Sequence, residues 1–134
     1  MKKEPIEKLL KDAKTIAVVG LSSDSSKTSY HVASYMQECG YKIVPVNPNI
    51  KECLGEKAYP SLHDVPEKVD IVDVFRKSED VGPVAEDAIK IKAGALWMQQ
   101  GIVNESAAKK AENAGLTVIM DRCIMMEHIR CKNL

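Results

Sequence analysis

The chain has 134 residues, a length typical of a single domain, so we predict one domain over residues 1–134. Its 45% hydrophobic residues can form a core, while 19 basic and 19 acidic residues leave no formal net charge, which argues against general binding to nucleic acids or membrane surfaces. No apolar run is long enough to cross a bilayer, and the N-terminus MKKEPIEKLL has no signal-peptide pattern. The four cysteines form no C-x-x-C pair. We therefore expect a cytoplasmic protein with reduced thiols.

The first strand of the chain leads into a polar loop. The apolar, β-branched run over 16–19 predicts a strand that is buried on both faces. Gly20 allows a sharp turn, and the serine-rich residues 22–29 then lead into a helix predicted over 29–39. Hydroxyls, backbone N–H groups, Lys27 and a helix N-terminus meet in this loop, and such groups together hold phosphates.

A simpler interpretation of this loop stays open. The loop contains one glycine and matches neither G-x-G-x-x-G nor the P-loop pattern G-x-x-x-x-G-K-[ST]. Serines that only cap the following helix would give a similar sequence. The residues of the loop alone therefore leave phosphate binding and simple helix capping as alternatives.

Beyond the loop, strand-like and helix-like patterns alternate. The predicted strands are 42–46, 70–75, 95–99 and 116–120. The predicted helices are 5–14, a helix that begins at Ser78 or Pro83 and ends at Lys92, 104–114 and 124–130. Pro45 has no N–H to donate, so the second strand is expected near a sheet edge or with an irregular end. Residues 49–69 are the least regular part of the chain.

Strands that alternate with helices predict an α/β fold: a single Rossmann-like, doubly wound parallel sheet of five strands, with helices on both faces. We expect the strand order 3-2-1-4-5. Ligands of such folds bind outside the carboxyl ends of the strands, at the point where the strand order reverses, here expected between strands 1 and 4.

Several residues at the predicted strand ends suit a nucleotide. Asn47 occupies the place where an NAD-binding unit normally carries an acidic residue, so NAD is a weak choice. Arg76 follows Phe75 at the end of strand 3, where a guanidinium could pair with a phosphate and a ring could flank a base. Gln99 and Gln100 follow strand 4, and their amides could bond a ribose or an amide.

The sequence shows no catalytic or metal-binding arrangement. Cys123, His128 and Cys131 are spaced C-x₄-H-x₂-C, which offers three ligands and matches no common zinc pattern, so we predict no metal. No Ser/His/Asp arrangement is evident, and we assign no catalytic residue. Trp97 is expected in the core, and His63 is expected to be exposed.

Taken together, five runs of the chain resemble a known family. They are VVGLSSDSSKTSYHVASYMQECGYKIVPVNP, GEKAYPSLHDVP, VDIVDVFR, ALWMQQGIVNESAA and AGLTVIMDRCIMMEH. They resemble the standalone CoA-binding proteins, which are similar to the N-terminal CoA-binding domain of the succinyl-CoA synthetase alpha subunit. The resemblance extends from about residue 15 to residue 128.

The resemblance implies that the ligand is coenzyme A or a short acyl-CoA. It would be held by the loop after strand 1, the turn after strand 2 and the ends of strands 3 and 4. The implied ligand residues are Gly20, Ser22, Ser23, Ser25, Lys27, Thr28, Asn47, Pro48, Phe75, Arg76, Met98 and Gln99. On this interpretation the loop holds the pyrophosphate, Lys27 and Arg76 neutralise phosphate charge, and the adenosine lies across the ends of strands 2 and 3.

The resemblance also bears on catalysis. The phosphorylated histidine of the synthetase lies in a second domain that this sequence lacks, so binding without ligase activity is implied. In the synthetase a cysteine after strand 5 lies near the thiol end of CoA, and the matching position here is Cys123. Two alternatives stay open: a small enzyme that uses a CoA thioester or a dinucleotide with Cys123 as nucleophile, and an interaction module that lends CoA to a partner subunit.

Overall fold

The computed structural model of the protein describes residues 3–132. The helices in this part of the chain are α1 (Lys3–Asp12), α2 (Thr28–Glu38), α3 (Val81–Lys90), α4 (Glu105–Asn113) and α5 (Ile124–Lys132). The strands are β1 (Thr15–Val19), β2 (Lys42–Val46), β3 (Glu52–Cys53), β4 (Glu56–Lys57), β5 (Ile71–Val74), β6 (Ala95–Met98) and β7 (Thr117–Ile119). Short 3-10 turns span Leu62–Asp64 and Ser78–Asp80.

The five longer strands form one parallel sheet, and the predicted Rossmann-like α/β class is confirmed. The sheet order is β2-β1-β5-β6-β7, which is 2-1-3-4-5 when only these five strands are counted. This corrects the predicted order 3-2-1-4-5, because the third long strand pairs with β1 rather than with β2. The order therefore reverses between β1 and β5, not between the first and fourth strands.

The position of Pro45 agrees with the sheet order. Pro45 lies in β2, which forms one edge of the five-stranded sheet, as the missing N–H predicts. The chain then returns along this edge, where the Tyr59 N–H donates to the Pro45 carbonyl at 2.9 Å and Val46 bridges to Tyr59. This return covers part of the exposed edge of β2.

Side chains alternate along the strands and divide the core into two layers. One layer lies between the sheet and α3 and α4, and it contains Val19, Val74 and Met98. The other lies between the sheet and α1, α2 and α5, and it contains Val18 and Trp97. Helices therefore cover both faces of the sheet, and Trp97 is fully buried, as predicted.

Asp73 is an exception in this apolar interior. It lies in β5 between Val18 and Trp97, is 1% exposed, and its Oδ1 has no hydrogen-bond partner within the described residues. Burial raises the pKa of its carboxyl well above the ordinary value, because the charged form would lose its hydration. We therefore treat Asp73 as an uncharged acid beneath the carboxyl ends of the central strands.

The ends of β1 and β5 approach each other at Gly20. Gly20 has a φ of +90°, and a Cβ built there would lie 2.2 Å from the Phe75 carbonyl oxygen, a distance that no side chain tolerates. The Gly20 N–H donates to the Val46 carbonyl at 2.8 Å, and the Phe75 N–H donates to the Val19 carbonyl at 2.8 Å. A residue without a side chain is required at this position.

Replacing Gly20 with Ala tests this requirement. We expect Gly20→Ala to lower the free energy of unfolding by about 2–4 kcal/mol, because the positive φ is strained and the backbone of Phe75 must move. Gly82→Ala is the matched control, since Gly82 lies in α3 with no atom within 4 Å of the added Cβ and should gain up to about 1 kcal/mol. Urea denaturation measures both, and equal stabilities for the two variants would contradict the close approach.

The state of Asp73 predicts a pH dependence of stability. Above the ordinary Asp pKa of about 3.9, the unfolded chain loses a proton that the folded chain retains. The free energy of unfolding then falls by about 1.4 kcal/mol per pH unit until the pH passes the raised pKa of the folded state. Asp73→Asn cannot titrate, so it should remove this slope, and urea denaturation of both proteins at several pH values isolates the difference. Equal slopes would show that folded Asp73 is ionised.

Candidate functional site

Residues 20–28, here called the phosphate loop, connect β1 to α2 and have a defined shape. The Ser22 N–H donates to the hydroxyl of Ser29 at 3.0 Å, and the Asp24 N–H donates to the hydroxyl of Ser22 at 3.1 Å. The Asp24 carboxylate accepts from the backbone N–H and the hydroxyl of Ser26, at 2.9 and 2.7 Å. These hydrogen bonds lower the pKa of Asp24, because they stabilise its charged form.

The N-terminus of α2 opens from this loop. Its N-cap residue, Lys27, makes no side-chain capping bond in the described structure. Because the first N–H groups of a helix have no partner within the helix, those of α2 are available to an anion. Of the predicted ligand residues in the loop, Ser23, Ser25, Lys27 and Thr28 are exposed. Simple capping by these serines is therefore not what the loop shows.

Residues from two other segments brace the phosphate loop. The side-chain amide of Asn47 donates to the Leu21 carbonyl at 3.0 Å, and its Oδ1 accepts from the Asn49 N–H at 3.0 Å. The buried Cys53 thiol contacts the Ser22 carbonyl at 3.7 Å, and burial raises the pKa of this thiol. Asn47, predicted as a ligand residue, thus has its side chain engaged in holding the loop, whereas the adjacent Pro48 is exposed.

The structure brings Phe75 and Arg76 to the phosphate loop. A Cβ built on Gly20 would lie 3.5 Å from Cδ of Arg76, so this side chain passes over the start of the loop. Phe75 and Arg76 are both half-buried. The side chain of Arg76 thus lies at the start of the loop whose other end is the N-terminus of α2.

Two other predicted ligand residues are enclosed. The side chain of Met98 is fully buried in the layer beneath α3 and α4. Gln99 is 4% exposed, and its Oε1 accepts from the Ile124 N–H at 3.0 Å, which caps the start of α5. These side chains position neighbouring elements, while Gln100 next to them is exposed.

Two hydrogen bonds that join the loops at this edge were not predicted from the sequence. The Ser78 hydroxyl accepts from the Val103 N–H at 3.0 Å, which ties the loop after β5 to the loop after β6. Asp121, with a φ of +61°, accepts from the Gly101 N–H at 2.6 Å and ties the loop after β6 to the loop after β7. The signal in the sequence at Asp121 was a polar residue directly after a predicted strand. The hydrogen-bond partner of Asp121 could not be predicted, because it depends on the order of the strands in the sheet.

The hairpin formed by β3 and β4 was also missed. Leu54 and Gly55, at its turn, have φ values of +55° and +78°. Leu rarely adopts positive φ, so Leu54 gives no turn signal, and Gly55 is the signal that the sequence offers at this place. The hairpin supplies Cys53 to the phosphate loop, so this irregular part of the chain contributes to the site.

The cysteine and histidine pattern near the C-terminus belongs to a packed cluster. His128 lies 2.9 Å from the Tyr35 hydroxyl through Nδ1, and this contact joins α5 to α2. Burial raises the pKa of Tyr35 to about 12 and lowers that of His128. The described residues contain no group of three or more His, Cys, Asp or Glu side chains placed to hold a metal ion. His63, as predicted, is exposed and lies 2.7 Å from Asp87.

Among the described helices, none is long and apolar enough to cross a membrane.

The carboxyl ends of the sheet strands remain the region where the predicted ligand residues gather. Cys123 also lies at this edge, after β7, and is partly buried.

Comparison with known proteins relates this arrangement to a family. The family model described as a CoA binding domain matches residues 14–129. The protein YneT of Bacillus subtilis is 48% identical over 126 residues, which cover 94% of this chain and 93% of YneT. A solved structure of a hypothetical protein from Pyrococcus horikoshii has a TM-score of 0.95 and 40% identity, covering 98% of this chain and 93% of that one.

Larger proteins match over a small part of their length. The ADP-forming acetate–CoA ligase II of Archaeoglobus fulgidus is 35% identical over 102 residues, which cover 74% of this chain but 15% of the ligase. The similarity to YneT over 94% of this chain and the family match over residues 14–129 lead to one conclusion: the chain belongs to the CoA binding domain family.

Proposed function

We propose that this protein binds coenzyme A or a short acyl-CoA across the carboxyl ends of its sheet, without ligase activity of its own. The observation that carries the proposal is the meeting of β1 and β5 at Gly20, where the side chain of Arg76 lies over the start of the loop that ends at the N-terminus of α2. Family membership supports CoA as the ligand.

The phosphates of CoA fit the phosphate loop on charge. Lys27 and the N-terminus of α2 supply positive charge at the end of the loop, and Arg76 supplies it at the start. Asp24, the acidic residue in the loop, is engaged by Ser26. A pyrophosphate placed between Lys27 and Arg76 would therefore meet donors and cations from two directions.

The strand order changes where the adenosine is placed. Because β1 lies between β2 and β5, the ends of the second and third long strands flank the phosphate loop and do not adjoin each other. We assign the adenosine to the β2 side, next to the exposed Pro48, with the ring of Phe75 on the other side of the loop. The pantetheine arm would then run over the ends of β5 and β6 towards β7.

The alternative functions have less support. As a nucleophile Cys123 would need an adjacent base, and His128, further along α5, is engaged with Tyr35. As an interaction module the protein would need a large apolar patch, whereas Val103 and Met126, the large hydrophobic side chains that are exposed in the described part of the chain, lie on different elements. We therefore assign no catalytic residue.

The choice of CoA over NAD is directly testable. The amide of Asn47 is engaged with the phosphate loop, so no carboxylate is available there for the ribose hydroxyls of NAD. CoA also carries an additional phosphate on its ribose. We expect calorimetric titration to show binding of CoA that is about tenfold tighter than that of NAD or more. Equal or tighter binding of NAD would contradict the proposed function.

Substitutions of Lys27 and Arg76 test the phosphate contacts. Each charge-assisted hydrogen bond contributes about 1.5–3 kcal/mol, so Lys27→Ala or Arg76→Ala should weaken CoA binding about 10- to 100-fold. Lys90→Ala is the control, because Lys90 is an exposed lysine in the last turn of α3. Calorimetry and thermal melting separate lost binding from lost folding. If both variants bind CoA as the control does, the phosphates lie elsewhere.

A further inference from the structure

The segment after β7, residues 121–124, is fixed to the neighbouring strand β6 and the loop that follows it. The bonds that hold it have donor–acceptor distances from 2.6 to 3.3 Å. They run from Gly101 N to Asp121 Oδ1, from Arg122 N to the Met98 carbonyl, from Trp97 Nε1 to the Arg122 carbonyl, and from Ile124 N to Gln99 Oε1. The backbone of Arg122 is therefore held rigidly at the carboxyl ends of the strands.

The side chain of Arg122 is steered by a buried acid. Its Nη1 lies 3.8 Å from Oε2 of Glu127, whose side chain is 7% exposed, and Nη1 of Arg130 lies 3.8 Å from the same oxygen. Two cations thus share one carboxylate, which leaves one net positive charge. A guanidinium has five N–H donors, and 3.8 Å is longer than a hydrogen bond, so Arg122 retains donors for a ligand.

This charge lies within reach of the far end of CoA. The end of β7 is three strand spacings from the end of β1, about 14 Å. About twelve bonds separate the phosphate ester oxygen of pantetheine from its sulfur. The backbone of four peptide residues contains the same number of bonds, so the fully extended arm reaches about 14 Å. An arm that starts at the phosphate loop and crosses the ends of β5 and β6 therefore places its thioester near Arg122.

We propose that Arg122 recognises a carboxylate at the end of the acyl chain, so that the protein prefers acyl-CoA thioesters of dicarboxylic acids over those of monocarboxylic acids. The inference rests on the proposed function and specifies its substrate class. The planar guanidinium pairs with a carboxylate through two parallel hydrogen bonds, which a methyl group at the same position does not offer. The side chain of Arg122 is 30% exposed, so an acyl group can reach it.

Matched ligands test this preference. Succinyl-CoA and butyryl-CoA differ by a carboxylate in place of a methyl group, and so do malonyl-CoA and propionyl-CoA. We expect calorimetry to show, for at least one pair, about tenfold or tighter binding of the acidic member. In Arg122→Gln the two members of each pair should bind with about equal affinity. In Arg122→Lys the preference should be intermediate, because lysine keeps the positive charge but lacks the paired N–H donors of the guanidinium.

The control is Lys132→Gln, which removes an exposed cation in the last turn of α5 that is not paired with Glu127, and it should keep the preference. Arg122→Lys also keeps a cation beside Glu127, so it remains informative if Arg122→Gln does not fold. Equal affinities within both ligand pairs for the unaltered protein, or a preference that survives in Arg122→Gln, would overturn the assignment. If CoA itself does not bind, the proposed function fails, whereas CoA binding without an acyl preference contradicts the role of Arg122 alone.

Discussion

The site depends on the contact between Gly20 and the backbone of Phe75. A positive φ of +90° and the absence of a Cβ let β1 turn directly against the end of β5. This turn decides where the chain leaves the sheet and enters the loop that leads to α2. The side chain of Arg76, one residue after Phe75, lies across the same turn. One glycine thereby links the reversal of strand order to the position of a cationic side chain.

The phosphate loop is organised before any ligand arrives. Asn47 from the β2 end and Cys53 from the hairpin hold its carbonyls, and Ser29 from α2 holds the Ser22 N–H. A loop fixed by its own side chains loses little conformational entropy on binding, so more of the interaction energy appears as affinity. The side chains that the sequence suggests as ligand groups thus form two sets. Some shape the loop, and others, such as Lys27, remain exposed.

The sequence predicts the elements better than their arrangement. Apolar runs such as residues 16–19 identify buried strands because burial on both faces needs continuous apolar residues, and Pro45 places β2 at an edge because it lacks a donor. The position of β5 depends on the path of residues 47–70, which local patterns do not specify. The enclosure of Gln99 depends on α5, an element that begins 25 residues later. Local chemistry therefore identified the edge where the predicted ligand residues gather, and tertiary packing decided which of their side chains are exposed there.

A chain without net charge can still present a cationic site, because the local charges decide the field that a ligand meets. Three acidic groups near this edge have identified surroundings. Asp24 accepts two hydrogen bonds from Ser26, burial raises the pKa of Asp73, and Glu127 lies between two arginines. Lys27 is exposed, and its side chain makes no capping bond at the N-terminus of α2. The proposed binding of an anion therefore depends on where these few cationic groups lie along the carboxyl ends of the strands, and the zero net charge of the chain does not argue against it.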